Sequence, residues 1–94
     1  MLQLQKYEFC FSNHAIEQIE RRGISRETAI TAMENPDQIC VDTENQDLRI
    51  YHYLLKEHEQ MFLLRIFVNV MKQPNVIVTI YKTTKIHKYY ESKI

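Results

Sequence analysis

Met61-Phe62-Leu63-Leu64-Arg65-Ile66-Phe67-Val68-Asn69-Val70-Met71 is the stretch that decides the fold of this chain. It falls well short of the roughly 20 apolar residues needed to span a bilayer, and its period is two. Phe62, Leu64, Ile66, Val68 and Val70 share one side of an extended strand and form an unbroken apolar face, so that side is the helix-facing core. The opposite side, Met61, Leu63, Arg65, Phe67, Asn69 and Met71, holds one charge and one amide mid-strand among apolar neighbours.

Alternation continues on either side of this run, with further strands expected at Gln38 to Val41, Leu48 to Leu55 and Val76 to Lys82. The polar connections Asp42 to Asp47, Lys56 to Gln60 and Lys72 to Asn75 are short, which implies antiparallel neighbours. By the same parity rule Leu48, Ile50 and Leu54 point inward with Val76, Val78 and Ile80. Arg49, Tyr51 and Tyr53 point outward with Ile77, Thr79 and Tyr81. His52 takes the inward parity as a satisfied, partly buried imidazole. Leu2, Leu4 and Phe9 suggest a short opening strand.

Before the strands the period is helical. Ser12 caps a helix from Asn13 to about Arg22, Gly23 supplies the left-handed residue that ends it, and Ser25 caps a second. The first puts Ala15, Ile16 and Ile19 on one side and His14, Glu17, Gln18 and Arg21 on the other. The second buries Ala29, Ile30 and Met33 and stops before Pro36. His14 stands in the first turn, where backbone donors attract anions and disfavour the imidazolium, a poised general base. The expected product is one α+β domain over residues 1–94, two short N-terminal helices packed on a four-stranded antiparallel sheet.

Twelve acidic and twelve basic residues give a formal charge of zero, so the chain as a whole is no electrostatic glove for nucleic acid. The charges are unevenly placed: Glu34, Asp37, Asp42, Glu44 and Asp47 follow one another with no base between, while Lys82, Lys85, Lys88 and Lys93 face only Glu91. With no basic leader and no spanning run, a cytoplasmic protein with no membrane partner is expected. Cys10 and Cys40 lack metal-ligand spacing and read as free, packed thiols. Gly23 is the only glycine, which excludes a glycine-rich phosphate loop. No zinc-site spacing or carboxylate pair is legible, so neither metal nor other cofactor is expected.

The outward set Arg49, Tyr51, Tyr53, Arg65, Thr79 and Tyr81 suits a polynucleotide: arginine binds phosphate bidentately and tyrosine stacks on bases or donates a proton. An ordinary solvated sheet face, its tyrosines packed cross-strand under snorkelling arginines, is the plainer alternative. Cleavage without a metal points to RNA, whose 2′-hydroxyl attacks the adjacent phosphate once a base removes its proton.

Phe11-Ser12-Asn13-His14-Ala15, Arg22-Gly23-Ile24-Ser25, the stop at Asn35-Pro36-Asp37 and the strand Val78-Thr79-Ile80-Tyr81 together resemble a family of small bacterial domains of unassigned function. The resemblance runs from Tyr7 to about Lys85. That family is similar in turn to the barnase, EndoU, colicin and RelE-like superfamily of ribonuclease toxins. The likeness implies a RelE-like fold, metal-independent RNA cleavage and a toxin neutralised by a small cognate antitoxin.

His14, Arg22, Thr79 and Tyr81 match the family's polar positions, whereas Arg65 and Arg49 fit the superfamily's use of sheet arginines by role alone. The resulting expectation makes His14, Arg65, Thr79 and Tyr81 catalytic and gives RNA contacts to Arg22, Arg49, Tyr51, Tyr53, Lys82 and Lys85. Many RelE-like toxins are distinctly basic. This neutral chain favours a ribosome-dependent or highly selective RNA substrate, and a non-catalytic RNA- or protein-binding module is the alternative. Because helices cover one sheet face and these strand residues occupy the other, His14 has to reach round a sheet edge to join them.

Overall fold

The computed structural model describes residues 8–90. Ser12 Oγ accepts the Ala15 amide at 3.0 Å and starts α1 (Asn13–Arg21). Gly23, at φ 68°, ends it, and the Ile24 amide returns to the Ile19 carbonyl at 2.9 Å. Such a left-handed residue closes a helix most cheaply as glycine. Ser25 Oγ repeats the cap on the Thr28 amide at 3.0 Å, and α2 (Arg26–Glu34) stops just ahead of Pro36. Around these helices lie β1 (Phe9–Phe11), β2 (Gln38–Val41), β3 (Leu48–Glu57), β4 (Gln60–Asn69), β5 (Asn75–Thr83) and a four-residue helix, α3 (Ile86–Tyr89).

The strands form one five-stranded mixed sheet in the order β1-β5-β4-β3-β2. Its antiparallel part, β2 to β5, is the expected four-stranded meander. β1 adds a parallel fifth strand, Phe9 to Phe11 beside Asn75 to Ile77. Three residues are too few to show a period, and their partner comes from the far end of the chain. Leu2 and Leu4 lie outside the described residues. α1 packs on β5 and α2 on β3, which buries Ala15, Ile19, Ala29, Ala32 and Met33 against Leu64, Ile66, Val68, Ile77 and Ile80.

The core parity of β4 stands as expected, but that of β3 is reversed. Arg49, Tyr51 and Tyr53 pair with Val68, Ile66 and Leu64 and therefore share the helix-facing side, where both tyrosines pack half-buried against the core. Ile50, His52 and Leu54 lie on the far face with Phe67, Arg65 and Leu63. The cause is the β3–β4 connection, only His58 and Glu59, at φ 49° and 69°, with Glu57 directly opposite Gln60. Two residues of positive φ set the register of such a hairpin, and a shift of one residue exchanges the two faces. β3 carries large apolar or aromatic residues on both sides, so hydrophobicity alone does not choose between them.

β5 corrects its own parity part-way. Thr79 pairs with Phe67 while Ile77 pairs with Val68, which leaves Val78 as the extra residue of a bulge. Ile77 and Ile80 are both fully buried in consequence, rather than Val76, Val78 and Ile80, and Thr79 and Tyr81 remain on the Arg65 face.

Candidate nucleic-acid interface

Arg65 sits mid-strand in β4, where a guanidinium is costly unless it finds partners. On one flank Nε donates to His52 Nε2 at 3.1 Å, and on the other Nη1 donates to the Tyr81 hydroxyl at 2.6 Å. Both partners come from register, since His52 and Tyr81 are the residues opposite Arg65 on the neighbouring strands. Among the described residues Nη2 has no hydrogen-bond partner, and no carboxylate pairs with Arg65, the one ion pair there being Lys82–Glu57 at 2.6 Å.

His52 is buried, and its tautomer follows from its neighbours. A guanidinium only donates, so Nε2 carries the lone pair and Nδ1–H donates to Gln38 Oε1 at 2.8 Å. Burial, and then the Arg65 charge, push its pKa down from 6.5 to about 4, so the ring is neutral near pH 7. It is a fixed acceptor that holds Arg65.

The segment that follows β5 returns over this face as α3. The Tyr89 ring lies 3.9 Å from the Arg65 guanidinium carbon, and Tyr90 sits 6.2 Å from the His52 ring. Phe67 and Tyr81 stack at 6.3 Å alongside. Desolvation pushes the Tyr89 phenol up. The hydrogen bond and charge of Lys88, the Tyr81 hydrogen bond and the Arg65 charge together pull it below the usual phenol value. The face of the guanidinium is thus covered by an aromatic ring, and its Nη2 edge is left for an acceptor.

Arg22 reaches the same cluster from the helix layer. β1 covers β5 only as far as Ile77, and past that point Gln18 Oε1 accepts the Ile80 amide at 2.9 Å. One turn further along α1, the exposed Arg22 places its guanidinium 5.8 Å from the Tyr81 ring. Sequence reasoning set Gln18 on the polar side of α1. It is buried there as the acceptor for a strand edge, for which a helix packed along a short strand's end is the only signal.

Arg65, Tyr81 and Arg22 are therefore brought together, and Thr79 lies on the same sheet face two residues before Tyr81. His14 is not brought in. It is exposed on α1, two turns before Arg22, about 12 Å along the helix axis. Arg49 is on the helix-facing side and donates to the carbonyls of Gln46 and Leu48. Tyr51 and Tyr53 belong to the core margin. Lys82 pairs with Glu57 and lies over Phe62, and Lys85 is exposed ahead of α3. His52, Tyr89 and Tyr90 are the members that the sequence did not assign to the site.

A family model described as "Domain of unknown function (DUF4258)" matches residues 11–82. The chain belongs to the DUF4258 family. No curated protein and no solved structure matches it. The DUF4258 match runs from β1 into β5 and takes in Arg22, Arg65 and Tyr81, whereas the Tyr89 that lies on Arg65 falls beyond it. Among the described residues of this DUF4258 domain, no three His, Cys, Asp or Glu side chains gather as metal ligands, and no helix is long and apolar enough to cross a membrane.

Proposed function

We propose that this chain is a metal-independent endoribonuclease of RelE-like type, the toxin of a pair with a small antitoxin, acting on RNA through Arg65, Tyr81 and Arg22. The observation that supports this reading is the Arg65 guanidinium, held on both flanks by neutral groups with its Nη2 edge open among the described residues. A phosphodiester supplies the missing acceptor. Two arginines stabilise the added charge as phosphorus becomes five-coordinate.

In the proposed step the 2′-oxygen bonds to phosphorus, its proton passes to water, and the bond from phosphorus to the 5′-oxygen breaks. That oxygen takes the Tyr81 phenolic proton, leaving a 2′,3′-cyclic phosphate and a 5′-hydroxyl. Thr79 positions the neighbouring nucleotide from the same face.

One observation favours a second reading, a non-catalytic RNA-binding module. His52 Nε2 is engaged by Arg65 and His14 stands two turns away from Arg22, so neither of these two imidazoles serves as a base at the cluster. Incubation with total RNA in chelator, with and without translating ribosomes, separates the two. Discrete new ends bearing cyclic phosphate, lost in Arg65→Ala and Tyr81→Phe, support the nuclease. Binding without cleavage, abolished by Arg65→Ala, supports the module, and RNA neither bound nor cut rejects both.

A further inference from the structure

We infer that β2 is a docking edge for an extended segment of another protein in which apolar and basic residues alternate. Among the described residues β2 is the last strand of the sheet on its side. The Asp42 amide donates to the Leu48 carbonyl at 3.3 Å, which fixes the alternation of the ladder. Gln38, Cys40 and Asp42 turn their backbone groups toward β3, and Ile39 and Val41 turn theirs outward. Their side chains lie on the helix-facing side, paired with Tyr51 and Arg49, and are 51% and 52% exposed.

An edge strand of this kind is normally blunted by a lysine, a proline or an inward charge. Ile39 and Val41 do the opposite and offer two outward-facing peptide groups beside two apolar side chains. That pairing is what strand addition requires: main-chain bonds for affinity and alternate side chains for selection.

Charge chooses the occupant. Glu34 and Asp37 precede β2, and Asp42, Glu44 and Asp47 follow it. Among the described residues none of the five is ion-paired, although Asp37 accepts the Leu54 amide and Asp42 accepts the Glu44 amide. Arg49, opposite Val41, donates to loop carbonyls. A second copy added antiparallel along β2 brings Asp37 of one chain within a residue of Asp42 of the other, so two acidic rims repel. An incoming strand with lysine or arginine beside its apolar residues meets opposite charge at both ends.

The probe is a blocked peptide of alternating valine and lysine, titrated into the full chain and followed by calorimetry and by amide exchange at Ile39 and Val41. The expected result is saturable binding that protects both amides. It weakens roughly tenfold or more when glutamate replaces lysine, when the pairing amides of the peptide are methylated, or in Ile39→Lys with Val41→Lys. Each of those changes alters only exposed positions or the peptide. Absence of binding, equal binding of the glutamate peptide, or a dimer in sedimentation whose contacts protect the same amides overturns the proposal.

Discussion

At the scale of the residue, the determining contact is Arg65 on His52, because it ties a buried neutral imidazole to a guanidinium that has no counter-ion among the described residues. The folded state holds His52 near a pKa of about 4, against 6.5 for a free side chain. The imidazole's contribution is therefore fully present above pH 6.5. As pH falls from 6.5 to 4 the unfolded chain takes up a proton that the folded chain refuses, and stability declines by roughly 1.4 kcal/mol per pH unit. Urea denaturation across that window checks this against His52→Gln, which keeps an acceptor for Arg65 and removes the titration. Arg65→Met leaves burial in place but removes the charge. The His52 pKa, followed by NMR, is expected to rise from about 4 and stay below 6.5.

At the scale of the element, one buried amide and one tight turn set the geometry of the site. Gln18→Leu leaves the Ile80 amide without its acceptor and is expected to cost about 1–3 kcal/mol, with Gln18→Glu losing less because an acceptor remains. Glu59→Gly relieves a positive φ in the β3–β4 turn, and a gain of about 0.5–1 kcal/mol in thermal denaturation is expected. These elements also mark what the sequence made legible. Ser12, Gly23, Ser25 and Pro36 are local signals, and they bounded both helices. The strict alternation of Phe62 to Val68 identified the core face of β4 and put Arg65 on the other. What escaped was set by pairing between strands. The two-residue turn reversed Arg49, Tyr51 and Tyr53, the Val78 bulge moved Ile77 into the core, and β1 found its partner across the chain. Of the candidate site, Arg65, Thr79 and Tyr81 were readable because strand parity puts them on one face, whereas Arg22 entered only through the family resemblance. Tyr89 was not readable, because α3 has no helical cap by a side chain and owes its place to the Arg65 face it covers.

At the scale of the whole molecule, a neutral chain with two arginines at its site contrasts with proteins that hold nucleic acid by broad positive charge. Engagement of about two phosphates of a single strand predicts a slope near −1.4 for log affinity against log salt, and filter binding over a salt series checks it. Steep dependence would indicate a diffuse basic surface in place of the Arg65 cluster. Replacing Tyr89 and Tyr90 by alanine is expected to admit water over His52 and move its pKa upward, with the helix-facing core of Leu64, Ile66 and Val68 untouched. The parallel pairing of Phe9 to Phe11 with Asn75 to Ile77 has a temporal consequence. The meander assembles from neighbours in sequence, but β1 gains its place only after β5 exists, so loop-closure entropy makes that junction a late event in folding. During synthesis the first strand emerges long before its partner and waits unpaired until the last strand clears the ribosome.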